Sequence, residues 1–279
     1  MMTSPSSLEA FLASHPRAIL IEITEAKGST PREAGAFMMV TENAIWGTIG
    51  GGQFEYMAID NARAMLAGGG EGMMDIPLGP EIGQCCGGRT LLSFHLMTPA
   101  LAEKLESRMR SEEEDRPAVY LFGAGHVGRA LARALAPLPF AVTVVETRAE
   151  ALEDLPAEAE KHLTAMPEAF VDKIPANGAA IVLTHDHALD FMIAGRALAR
   201  TDLAYVGMIG SATKRATFAR WLKREGGDHA MLAHLVLPIG GSAVKDKRPA
   251  VIAALVAAEL LAAYAARQDQ PSKRQVPSA

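Results

Sequence analysis

Along residues 1–110 the spacing of apolar positions changes repeatedly. A short helical stretch around Ser7–Ser14 precedes an apolar strand over 17–24. AFMMV and NAIWGTI read as short strands separated by a Thr-Glu-Asn turn. In GGGQFEYMAIDNARAML, Phe54, Met57, Ala58, Ala62, Met65 and Leu66 recur at helical spacing, so three glycines open an amphipathic helix and GGGEG closes it. MMDIPL, GPEIGQCCGG and RTLLSFHLM follow as strand, loop and strand. Thr98-Pro99 then has the form of a cap with proline at the first helical position.

From residue 118 the pattern is regular. The apolar segments VYLFGAG, AVTVVET, KHLTAM, AAIVLTH, AYVGMIG and HLVLPIG alternate with helical stretches near 126–136, 149–153, 188–200, 212–225 and 249–266. Apolar strands alternating with helices predict a parallel sheet covered on both faces. SEEEDRP at 111–117 is charged and ends in proline, and is read as a linker. The expected fold class is therefore α/β. It comprises an N-terminal mixed α+β domain over 1–110, a Rossmann-like domain over 118–266, and a polar tail over 267–279 expected to be disordered.

Composition narrows the function classes. The 279 residues are 49% hydrophobic, enough for two cores. Twenty-seven Lys and Arg against 32 Asp and Glu leave a net charge of −5, without the basic footprint of a nucleic-acid binder. AVIAALVAAELLAAYAA at 250–266 carries Glu259 in its middle and reads as a packed helix rather than a membrane span. The first residues lack a basic segment followed by an apolar one, so no secretion signal is expected. Two cysteines do not suggest an oxidised scaffold, and the expected location is the cytoplasm.

The chemistry concentrates in glycine-rich loops. VYLFGAGHVGRALARAL places Gly123, Gly125 and Gly128 as G-x-G-x-x-G between a buried strand and a helix, the context a dinucleotide loop requires. The helix start favours an anion, and His126 puts an imidazole beside it. Glu146, ending the next strand, sits where an acidic residue bonds a ribose hydroxyl. THDHALD and GMIGSATKRATF end two further strands at the same sheet edge, so Thr184, His185, Asp186, Gly210, Ser211 and Lys214 are candidate ligand contacts. His185, Asp186, His187 and Asp190 are metal-ligand types, but the competing reading is capping of the next helix by Asp186 or His187 with Asp190 in its first turn. Lys214 and Arg215 lie in a first helical turn, where the macrodipole disfavours cations, which suggests an anion nearby or plain solvated charge.

GQCCGG at 83–88 holds both cysteines. It is not C-x-x-C, and the chain offers no further cysteines to complete a zinc site. A thiolate between glycines is approachable and suits a soft metal or sulfur chemistry; a tight turn with inert thiols is the alternative.

GSTPREAGAFMMV, GTIGGGQFE, GQCCGG, GAGHVG, THDHALD, YVGMIGSATKR and PIGG…RPAVIAALVAAEL lie in an order that resembles the XdhC/CoxI family, from about residue 17 to about residue 262. The resemblance implies a molybdenum-cofactor-binding accessory factor rather than an enzyme. Such a factor protects the cofactor while a cysteine desulfurase helps install its sulfido ligand, then delivers it to apo xanthine dehydrogenase; homodimers are usual. The family pattern carries one cysteine, matching Cys86, so Cys85 is an addition. On this reading Cys86 and Cys85, with Gln84 beside them, meet the molybdenum end or carry persulfide sulfur. Gly123, Gly125, His126 and Gly128 face the phosphate. Gln53 and Glu55 bond the pterin or cap their helix. A rival reading, an NAD(P)-dependent oxidoreductase, rests on the glycine loop and Glu146, with His126 or His185 as proton donor. A third is a structural partner of the dehydrogenase that binds no cofactor.

Overall fold

The computed structural model describes residues 4–80 and 87–268. The chain divides into two compact units, Met1–Glu114 and Asp115–Ala279.

In the first unit, α1 (Pro5–Ser14) begins at Ser4, whose hydroxyl accepts from the Ser7 N–H while the Ser7 hydroxyl accepts from the Ser4 N–H. This reciprocal cap, with proline at the first position, defines the helix start. Among the described residues β1 (Ile19–Lys27), β2 (Phe37–Val40), β3 (Ile45–Gly47), β4 (Met73–Pro77) and β5 (Arg89–Leu96) form an antiparallel sheet in the order β3-β2-β1-β5-β4. Alternate side chains of β1 point to opposite faces, and both faces are covered. Ile19, Ile21 and Ile23 pack with Phe54, Ala58 and Ala62 of α2 (Gly52–Leu66). Leu20 packs on the other face with Leu8 of α1 and with Leu105 and Met109 of α3 (Pro99–Glu114). The strand consequently reads as the apolar run ILIEI instead of alternating strictly.

In the second unit β6 (Ala118–Phe122), β7 (Ala141–Glu146), β8 (Glu160–Leu163), β9 (Ala179–Val182), β10 (Tyr205–Met208) and β11 (Leu235–Val236) form a parallel sheet in the order β8-β7-β6-β9-β10-β11. Counted within the unit this is 3-2-1-4-5-6, the dinucleotide-binding order, whose direction reverses between β6 and β9. α4 (His126–Leu135) and α7 (Pro249–Gln268) cover one face through Leu131, Leu135, Val256 and Leu260. α5 (His187–Leu198) and α6 (Ala212–Arg224) cover the other through Phe191, Ile193, Phe218 and Leu222.

The structure corrects several boundaries. Residues 111–114, expected as linker, are the last turn of α3; three glutamates, good helix formers, carry it to Glu114, and Pro117 lies just beyond. α7 continues through residues 267 and 268, expected to belong to the tail, because Arg267 ties its last turn to the Leu203 carbonyl and the Asn177 side chain. The rest of that tail lies outside the described residues. KHLTAM and HLVLPIG supply only the short strands β8 and β11, since each is an edge strand paired on one side.

α7 is long and apolar enough to cross a membrane by length and composition alone. It packs along α4, and its Glu259 accepts from the Tyr205 hydroxyl at 2.7 Å and the Gly240 N–H at 3.0 Å, pinning the chain after β11 to the sheet.

The tightest approach in this unit is at Gly128, where an added Cβ would lie 2.1 Å from the Gly123 carbonyl oxygen. Both partners are backbone, so neither can swing away. Gly128→Ala is expected to cost about 2 kcal/mol or more, read as a lower melting temperature; an unchanged melt would contradict this packing.

Candidate functional site

Each unit gathers its chemistry at one end of its sheet. In the second unit the loops after β6, β9 and β10 all leave the carboxyl edge on either side of the point where strand order reverses. Gly123 has φ +117 and an ideal Cβ only 2.6 Å from the Leu183 carbonyl, so no other residue fits between β6 and β9. Gly125, with φ −67, precedes α4, and a Cβ placed on it meets nothing within 4 Å. The helix therefore starts against open space. His126 is exposed beside it.

Glu146 does not occupy the role expected for it. It is 3% exposed, and its carboxylate is bonded from every side. Oε2 accepts from the Ala124 N–H at 2.8 Å and from Arg148 Nη2 at 3.1 Å. Oε1 accepts from the Thr147 N–H at 2.8 Å and its hydroxyl at 3.1 Å, and from Arg148 N and Nε, both at 3.2 Å. Burial, the largest single influence, pushes this carboxyl up. The Arg148 guanidinium and the Ala124 and Thr147 amides outweigh it and hold the group down at about 2. Glu146 is thus an ionised clamp joining the glycine loop to the end of β7, with no free oxygen left for a ribose.

In the β9 loop the capping reading holds, and the β10 loop is likewise tied inward. Asp186 is the N-cap of α5, accepting from Ala188 N at 2.7 Å. Asp190 is fully buried beneath the loop; it accepts from the Thr184 N–H at 3.0 Å and hydroxyl at 2.7 Å, and is ion-paired with Lys214. Lys214, read as facing either a nearby anion or solvent, bonds Asp190 and the Ile209 carbonyl. Its chain passes over Gly210, where a Cβ would come within 2.7 Å of Lys214 Cδ. Ser211 caps α6 by accepting from the Lys214 N–H. Arg215 is held by the carbonyls of Leu232, Leu235 and Leu237. Both cations at this helix start are answered from inside the protein. His185 and His187 are exposed, and among the described residues no three His, Cys, Asp or Glu side chains come together as a metal site.

In the first unit three glycine-rich loops meet at one end of the antiparallel sheet. β1 ends there and leads into 28–36, β3 ends there and leads into α2, and β4 and β5 are joined there. The last connection is closed at its base by Leu78 N–H to the Gly88 carbonyl at 2.8 Å and Gly87 N–H to the Leu78 carbonyl at 2.9 Å. An ideal Cβ on Gly88 would lie 2.2 Å from the Ser29 carbonyl, and one on Gly50 would lie 2.4 Å from Pro31 Cβ. Gly88 meets Ser29 backbone to backbone and Gly50 meets the Pro31 ring, contacts the motifs alone did not reveal. Glu55 serves the loop rather than a ligand: its Oε2 accepts from the Thr48 hydroxyl and from the N–H groups of Ile49 and Gly51. Ser29, Thr30, Arg32 and Gln53 make no hydrogen bond or ion pair among the described residues. Beneath the β4–β5 connection the Thr90 hydroxyl is buried without a partner. Gln84, Cys85 and Cys86 lie outside the described residues. Ser29, Thr30 and Arg32 were not singled out in the sequence because GSTPREAG reads as turn formers until its neighbours are known.

A family model described as the XdhC Rossmann domain matches residues 119–260, and one described as the XdhC and CoxI family matches residues 11–77. The Escherichia coli (strain K12) protein described as uncharacterized protein YqeB is 28% identical over 255 residues. That match takes in 87% of this chain and 42% of YqeB, so the chain spans less than half the length of this relative. The crystal structure of a protein described as a xanthine dehydrogenase from Bacillus halodurans superposes with a TM-score of 0.79 at 17% identity, over 97% of this chain and 98% of that one. At that identity the likeness concerns the fold.

The Glu146 clamp makes stability depend on acid. The folded carboxyl titrates at about 2 against an ordinary value of 4.5, so its contribution is complete above 4.5 and is lost as pH falls from 4.5 towards 2. The difference corresponds to about 3 kcal/mol. Urea unfolding of the wild type and Glu146→Gln at pH 7, 4 and 3 should show a gap between the two that is widest at pH 7 and narrows with acid. A gap independent of pH would remove the clamp.

Proposed function

The chain belongs to the XdhC and CoxI family, and from that premise we propose that it is an accessory factor that carries molybdenum cofactor for a molybdenum hydroxylase of the xanthine dehydrogenase type. The observation that carries the reading is the meeting of three glycine-rich loops at one end of the first unit, beside the segment that holds both thiols. A pterin that carries both a phosphate and a sulfur-bound molybdenum asks for three things: phosphate donors, a surface its flat ring can approach, and soft ligands.

The loop end fits that request. Arg32, Ser29 and Thr30 offer a cation and two hydroxyls with no partner among the described residues. Gly51 and Gly87 face open space, so a flat group can lie against the backbone there. The buried Thr90 hydroxyl and the exposed Gln53 amide are further polar groups awaiting partners. Glu55 holds the loop in shape. On this proposal Arg32, Ser29 and Thr30 take the phosphate, and Cys86, with Cys85, takes the molybdenum end or carries persulfide sulfur. The carrier then holds its cargo until a cysteine desulfurase has supplied the sulfido ligand, and passes it to the apo-dehydrogenase. No acid, base and nucleophile need be assembled for this.

The test is equilibrium binding of molybdenum cofactor under reducing, anaerobic conditions, with retained pterin read as its fluorescent oxidised form. Near-stoichiometric retention by the wild type is expected, with at least a tenfold loss for Cys85→Ala/Cys86→Ala and for Arg32→Ala. No retention by the wild type would overturn the carrier reading. Full retention by the double cysteine variant would remove the thiols from it.

A further inference from the structure

The crevice of the second unit is not needed by the loop end of the first, yet it is a built cleft. Strand order reverses between β6 and β9, and the glycine loop lies at that reversal. Gly123 and Gly128 are each required by a backbone contact, at 2.6 and 2.1 Å from an ideal Cβ, while Gly125 between them faces nothing. Two glycines therefore hold the loop against the sheet and the third keeps one surface of it clear. His126, Val127 and Gly128 are in the first turn of α4, where N–H groups have no partner within the helix, and Gly125 supplies no capping side chain. Such an arrangement suits a pyrophosphate.

What stands at the end of β7 decides which pyrophosphate ligand. An acidic side chain there ordinarily accepts from the 2′-hydroxyl of an adenosine ribose, whereas an arginine there accommodates a 2′-phosphate. The sequence shows the acid, Glu146, and so points to an unphosphorylated ribose. The structure withdraws the acid: both its oxygens are taken by the Ala124, Thr147 and Arg148 N–H groups, the Thr147 hydroxyl and the Arg148 guanidinium. The group left facing solvent is Arg148, with its side chain 41% exposed. Its Nε and Nη2 bond Glu146, and its Nη1 has no hydrogen-bond partner among the described residues. The nearby Glu150 opposes an anion, while Asp154 is already paired with Arg129.

We propose that the crevice binds an adenine nucleotide carrying a 2′-phosphate, of the NADP type, with its pyrophosphate on residues 125–128 and its 2′-phosphate on Arg148. Glu146 orients the guanidinium and leaves its outer edge for the ligand. This goes beyond the carrier reading and does not depend on it: neither the thiols nor Arg32 takes part.

The experiment is calorimetric titration of the full chain with NADPH, NADH, 2′,5′-ADP and 5′-AMP. Binding of NADPH and 2′,5′-ADP at least tenfold tighter than their unphosphorylated counterparts is expected, with the preference lost in Arg148→Ala. Removing Arg148 leaves Glu146 without its cation and weakens the fold, so a second variant carries the test. Gly125→Val adds its side chain to open space at an ordinary φ; it should melt like the wild type and bind none of the four nucleotides. Equal or tighter binding of NADH, or no nucleotide binding by the wild type, would overturn the proposal. So would unchanged binding by Gly125→Val. Molybdenum-cofactor retention by Arg148→Ala should be unaffected, which separates this site from the carrier site.

Discussion

Glu146 carries a negative charge into a site that is 3% exposed, where an unpaired carboxylate would cost several kcal/mol. The second unit is arranged so that the charge is never unpaired. The Ala124 amide comes from the loop after β6, the Thr147 and Arg148 amides from the chain leaving β7, and the guanidinium from Arg148 itself. One carboxylate therefore fixes the position of the glycine loop relative to the neighbouring strand, and with it the cleft where the strand order reverses. Asp190 does the same on the other side of that cleft, joining the β9 loop through Thr184 to the α6 start through Lys214. Charges that look like ligand contacts in one dimension are the staples of the crevice in three. The same condition explains why Lys214 and Arg215 tolerate an unfavourable helix end: each is answered by a carboxylate or by carbonyls the fold brings to it.

The first unit is organised by steric contact instead of charge. Its loops meet because the Gly88 backbone runs against the Ser29 backbone and the Gly50 backbone against the Pro31 ring, leaving no room for a Cβ at either glycine. Glu55 completes the arrangement by binding the amides of the loop before its own helix. Among the described residues at this end, Ser29, Thr30, Arg32, Gln53 and Thr90 make no side-chain hydrogen bond. The two units thus differ in what orders them: a clamped carboxylate in one, and close steric contact between loops in the other.

The sequence by itself determined the elements and their class. The period of the apolar residues is a local property, so α2, the β6–α4 junction and the alternation of strand and helix after residue 118 were all legible, as were the glycine spacing and the Asp186 cap. Residues 111–114 were misread because a glutamate-rich helix end and a charged linker share one composition. Only the tertiary structure decided the pairing of charges and the company of the loops. Whether Glu146 meets a ribose or the Ala124 amide, whether Lys214 meets an anion or Asp190, and whether GSTPR is a plain turn or packs against Gly88 and Gly50 all turn on residues far away in the chain. The physical reason is that hydrogen bonds and ion pairs act over a few ångströms in space, and sequence spacing reports such distances only within a single turn, hairpin or helix.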